Sequence, residues 1–134
     1  MHTFEVKNGT YKIEEIKNDH TLIALNLNQD IVFSFYAPKI GLSGIAFNIS
    51  ATMIDELFSN LITTPLLTDF TIKISIVGGT NSDQSKIYID TLIEKLNALD
   101  NNRHIIDIIS FDVLKKIHPK SIKYSSYSNL IYPL

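Results

Sequence analysis

The chain contains no cysteine. That absence removes a disulfide framework, a thiolate zinc site, a CxxC redox motif and a cysteine nucleophile together. Tryptophan is missing as well, and arginine occurs once against 11 lysines. No apolar run approaches the ~20 residues that span a bilayer. Met1-His2-Thr3-Phe4-Glu5 lacks the basic start and apolar stretch of a secretory signal. Charge of one sign is not in excess either: Lys+Arg 12 and Asp+Glu 14 give a net charge of −2 and a pI near 6.0. Such a balance offers no basic footprint to nucleic acid or to an anionic membrane surface. These absences predict a soluble cytoplasmic protein with no nucleic-acid partner and no membrane insertion.

What is present is one ordinary core. At 134 residues, 45% hydrophobic and 19% charged, the chain is neither disordered nor a charge-rich coiled coil. No linker, repeat or low-complexity stretch divides it, so residues 1–134 read as a single domain. Isoleucine outnumbers valine 22 to 4, with 11 asparagines. This skew marks AT-rich codon usage and leaves the lysines little functional weight.

Short apolar stretches at Phe4–Val6 and Tyr11–Ile16 flank an Asn8-Gly9 turn signal. Thr21–Leu27, Ile31–Tyr36 and Gly44–Ile49 read as further strands, the second stopped by Pro38. Their close spacing favours antiparallel meanders over crossovers. Ile54, Leu57, Phe58 and Leu61 recur at helical spacing, capped by Thr52 or Ser50 and ended by Thr63-Thr64-Pro65. Phe70–Val77 alternates cleanly and stops at Gly78-Gly79-Thr80-Asn81. A second helix runs from Asp83 or Ser85 to Leu99. Ile105–Ile109 reads as a buried strand, and Ser121–Tyr124 with Leu130–Tyr132 as a closing hairpin. Two helices cannot cover both faces of a large sheet. The expected fold is therefore α+β, two packed sheets with both main helices on one outer side.

In order and spacing this string resembles the CheD family, the chemoreceptor glutamine deamidases of chemotaxis. Leu25-Asn26-Leu27-Asn28-Gln29-Asp30 and the strand through Pro38 are similar to the family's Leu-Gly-Ser-Cys strand entry. Lys39-Ile40-Gly41 through Gly44-Ile45-Ala46-Phe47 is similar to its Lys-Ile-Gly-Gly-Met-Ala-His segment. Ile76-Val77-Gly78-Gly79-Thr80-Asn81 resembles its Gly-Gly-Ala turn, and Ser121-Ile122-Lys123-Tyr124 its last strand before a hairpin turn. The resemblance implies a CheD-like domain whose partners are chemoreceptor cytoplasmic helices or a CheC-type phosphatase, with no cofactor.

The resemblance also places the family's catalytic residues. Asp30 stands at the position of the nucleophilic Cys, Phe47 at that of the base His, and Ala24 at that of an assisting threonine. Thiolate attack on a carboxamide needs a nucleophile and a base within hydrogen-bond reach. A carboxylate would form a mixed anhydride, and a phenyl ring moves no proton. Asn26 and Asn28 replace the glycines of the nucleophile turn. The implied protein is therefore catalytically inactive, a binding module or regulator. Its candidate groove residues are Asp30, Phe47, Gly78, Gly79 and Thr80. The alternative is a hydrolase or deamidase rebuilt without cysteine, using Asp30, Ser34 or a histidine brought near by the fold, recognisable by a pocket beside Asp30 that holds such a histidine.

Other constellations read as structural. His2, His20, His104 and His118 show no metal-ligand spacing and read as solvated or locally hydrogen-bonded. Ser43 lacks a GxSxG frame and reads as a loop serine. Gly78-Gly79-Thr80-Asn81 is no phosphate-binding motif. Tyr124, Tyr127 and Tyr132 read as hairpin packing. Lys115, Lys116 and Lys120 are too few to hold nucleic acid. Phe47 has two readings: core, with Ile45 and Ile49 as face-mates, or a partly exposed anchor beside Asp30.

Overall fold

A computed structural model describes residues 2–62, 70–101, 105–114 and 119–134. The helix stop at residues 63–65 and the readings on His104, Lys115, Lys116 and His118 lie outside them. The described elements run β1 (Thr3–Glu5), β2 (Thr10–Glu15), β3 (Thr21–Ala24), β4 (Ile31–Ala37), β5 (Leu42–Phe47), α1 (Ala51–Leu61), β6 (Ile72–Gly78), α2 (Asp83–Asp100), β7 (Ile106–Val113), β8 (Ile122–Ser125) and β9 (Leu130–Pro133). Strands β2-β5-β4-β6-β7 form one sheet and β1-β3-β8-β9 the other.

The fold is α+β in three layers. Strand β4 is apolar on both faces, which suits a strand covered on both sides. Its Ile31, Phe33 and Phe35, with Ile72, Ile74 and Ile76 of β6, meet the stripes Ile54/Leu57/Phe58/Leu61 of α1 and Ile89/Leu92/Leu96 of α2. The Phe33 and Phe58 rings stack with centroids 6.3 Å apart. On the opposite face, Val32, Ile45, Phe47 and Val77 pack against Leu22, Ala24, Ile122 and Tyr124 of the four-stranded sheet. Both helices therefore lie on one outer side, as their stripes predict. Ser50 caps α1, accepting the Met53 N–H at 3.2 Å, and Ser82 caps α2. Where β5 crosses β2, a Cβ on Gly44 would run into the Lys12 carbonyl and the Phe35 ring, so only glycine fits.

Two expectations are corrected. The sheets are mixed, not antiparallel meanders: β1 runs parallel to β3, and β6 parallel to β7. Helix α2 carries the chain back along the sheet face, which returns β7 in the direction of β6. The Asn8-Gly9 turn forms at the signalled position and makes a corner between the two sheets. Val6 enters the sheet–sheet core, whereas Tyr11 and Ile13 pack on the helix side. Second, Ile106–Val113 is not a buried strand. Among the described residues it is the last strand of its sheet, partnered on one edge only, and Ile108, Ile109 and Phe111 are exposed.

Phe47 is 1% exposed and faces the four-stranded sheet. It fills the core and lines no groove. Phe47→Ala is accordingly expected to cost about 3–5 kcal/mol in denaturant unfolding. A loss below about 1 kcal/mol would contradict this packing.

Candidate functional site

The segment before β4 is built from left-handed residues. Asn26 and Asn28 have φ of 57° and 52°, a conformation that asparagine tolerates best among side-chain-bearing residues. The Leu27 N–H donates to the Lys120 carbonyl at 2.7 Å, and the Asp30 N–H to the Leu27 carbonyl at 2.7 Å. Behind this turn lie Gly78 and Gly79. The Gly79 N–H donates to the Asp30 carbonyl at 3.3 Å. At Gly78, with φ of 101°, a Cβ would stand 2.8 Å from that same carbonyl oxygen. The Ser85 hydroxyl donates to the Gln29 carbonyl at 2.6 Å, tying the turn to the start of α2. Asp30, Gly78, Gly79 and Thr80 are thus brought together. The glycines and Thr80 support Asp30 from behind instead of lining a groove with it.

Asp30 stands on the rim of a cleft of about 310 Å³ between its turn, the start of α1 and the first half of α2. Ile49, Ile54 and Ile87 supply apolar wall, and Gln29, Asn48, Ser50 and Gln84 supply polar groups. The Asp30 carboxylate accepts from the Asn8 side chain at 2.6 Å, and Asn8 in turn accepts from Asn48 at 3.0 Å. The Tyr88 hydroxyl donates to the Ile49 carbonyl at 2.8 Å. Burial pushes its pKa well above the ordinary tyrosine value; the Ile49 contact opposes this, and the Asp30 charge adds to it. Tyr88 is therefore a neutral donor that orders the cleft wall, not a base. The arrangement can hold an apolar side chain flanked by amide and hydroxyl groups. It has no described nucleophile–base pair.

The remaining sequence-derived positions lie elsewhere. Ala24 and Phe47 are sealed between the sheets, so neither joins Asp30 in an accessible site. Ser34 is fully buried with its hydroxyl unpartnered, again between the sheets. Ser43 is not a loop serine: it lies in β5, buried, and donates to the Ser126 carbonyl at 2.8 Å. His20 does not approach Asp30. Its Nδ1 pairs with the buried Glu14 carboxylate at 2.7 Å, with Lys12 3.1 Å from the same carboxylate. This cluster sits where Glu14 faces Ser43, whereas Asp30 adjoins the opposite end of β4, where Ile31 faces Gly78. Sequence reasoning missed Tyr88, Ile87 and Asn48. The available signal was Ile87, an apolar residue of α2 off the core stripe Ile89/Leu92/Leu96.

Among the described residues no cluster of His, Asp and Glu is placed to hold a metal ion, and no helix is long and apolar enough to cross a membrane. No family model matches the chain. Uncharacterized protein RC0132 of Rickettsia conorii is 41% identical to it over 56 residues, a stretch covering 42% of this chain and 75% of that protein. The chain belongs to the family of that Rickettsia protein.

The left-handed turn gives a direct test of the site's construction. Asn28→Gly is expected to change stability by less than about 0.5 kcal/mol, and Asn28→Val to cost about 1–2 kcal/mol. Equal melting curves for the two variants would contradict the turn geometry.

Proposed function

We propose that this chain is a cytoplasmic, CheD-like, non-catalytic binding module of a chemotaxis pathway that recognises a protein partner through the cleft beside Asp30. The α+β layering is compatible with the fold the resemblance implies. The observation that carries the reading is the character of the cleft: it adjoins the position where the resemblance puts the nucleophile, yet offers an apolar wall and amide groups. A rebuilt hydrolytic site would need a base beside Asp30. His20 is at the other end of β4, no histidine is among the described residues lining the cleft, and Asp30 is held by Asn8. Binding and transformation rest on different residues, so loss of one leaves the other possible.

The proposed partners are a helical chemoreceptor cytoplasmic segment or a CheC-type phosphatase. A helix bearing an apolar anchor would set that side chain against Ile87 and Ile49, with Gln29 and Gln84 bonding its flanks. Ile87 is 65% exposed, so Ile87→Asp should leave folding intact. In calorimetric titration with each partner, the wild-type chain is expected to bind at least one, and Ile87→Asp to weaken that binding at least about tenfold, or 1.4 kcal/mol. Binding to neither partner, or equal binding by the variant, would overturn the proposal.

A further inference from the structure

Strand β7 ends the five-stranded sheet, and β9 ends the four-stranded one. Between them, β7 and β9 expose Ile108, Ile109, Phe111, Leu130 and Tyr132. The two edges also border one shallow cavity of about 270 Å³, to which Ser110, Ile109 and Leu130 contribute. Natural edge strands are usually short, bulged, charged or covered, because free N–H and C=O groups recruit another strand. Strand β7 has a bulge and two aspartates, yet it spans eight residues with no lysine or proline and is uncovered among the described residues. Phe111 is 52% exposed although its register partner Ile76 is fully buried beneath the helices. An apolar margin of this kind is unusual on a monomer.

We propose that β7 is a dimer interface and that its occupant is β7 of a second copy of this chain, antiparallel about a two-fold axis at Phe111. The strand's own pattern selects that occupant. With Phe111 on the axis, Phe111 faces itself, Ser110 faces Asp112 and Ile109 faces Val113. Apolar residues meet apolar ones, and the Asp112 carboxylate of each copy meets the Ser110 hydroxyl of the other. Centring the axis between Ile109 and Ser110 would set Asp107 against Asp112, a like-charge pair that destabilises a ladder. Centring it on Ser110 would set Asp112 against Ile108. The two-fold joins both free edges in one continuous sheet with the helices of both copies on the same side. The assembly therefore closes as a dimer.

The absence of native cysteine makes the register directly testable. Opposed residues in an antiparallel pair have Cα atoms about 4.5–5.5 Å apart, within disulfide range. Two copies of position 109, each facing Val113, would be separated by roughly 13 Å along the strands. Light scattering of the wild-type chain is expected to give twice its 15.2 kDa. Under mild oxidation Phe111→Cys should cross-link quantitatively, and Ile109→Cys should stay uncross-linked. Phe111→Glu should give a folded monomer with an unchanged circular dichroism spectrum and a melting temperature independent of concentration. A wild-type monomer at high micromolar concentration overturns the proposal. Equal cross-linking of the two cysteine variants, or a Phe111→Glu protein that remains dimeric, overturns it as well. If Phe111→Glu fails to fold, the wild-type mass and the cross-linking pair still decide the matter.

Discussion

Burial of β4 on both faces is the constraint from which the other layers take their places. Phe33 and Phe35 hold the helices on one side, and Val32 meets the four-stranded sheet on the other. A strand covered in this way must find hydrogen-bond partners along both edges, and β5 and β6 supply them. The same burial leaves the Ser34 hydroxyl without a partner between the sheets, at a desolvation cost of about 1–3 kcal/mol. The chain must also enter β4 abruptly. The Asn26 to Asp30 turn does this, and its backbone is locked by Gly79, Ser85 and Lys120. The position of Asp30 is therefore a consequence of the core.

That link makes the geometry of the Asp30 turn independent of the side chain it presents. The turn needs left-handed backbone and close approach at Gly78 whatever side chain stands at Asp30. Asparagine at 26 and 28 meets the first need, and glycine at 78 meets the second. Nothing in this frame requires a thiol or an imidazole. With Phe47, the position ascribed to the base joins Tyr124 and Leu22 in the core. Its side chain serves stability.

Much of this was legible in the sequence, and the remainder was hidden for physical reasons. Helices α1 and α2 follow from stripes such as Ile54/Leu57/Phe58/Leu61, because helical period and burial coincide there. The layering followed from having two such stripes and many strands. Strand pairing was not legible: Val6 and Tyr11 are five residues apart yet serve different cores, and only distant partners decide which. Strand β7 reads as buried because four of the five residues from Ile105 to Ile109 are isoleucine, a pattern that core and interface share. For Phe47, alternation with Ile45 indicated the core, and the core it is; Ile49, read as a face-mate, instead packs on the helix side, because left-handed Asn48 ends the alternation after β5. The Asp30 cleft was only half visible. Its turn was signalled by Asn28 and Gly78-Gly79, but Tyr88 and Ile87 reach it through the placement of α2, which local pattern does not encode.

The central claim is recognition without chemistry at the Asp30 cleft. Its most direct test is mass spectrometry of the chain mixed with chemoreceptor cytoplasmic domains or a CheC-type phosphatase, recording intact complexes first and glutamine masses in the partner after long incubation. The account predicts a complex with at least one partner and no catalytic gain of the single dalton that converts glutamine to glutamate. Deamidation beyond one turnover per chain, lost on substitution of Asp30, would contradict it.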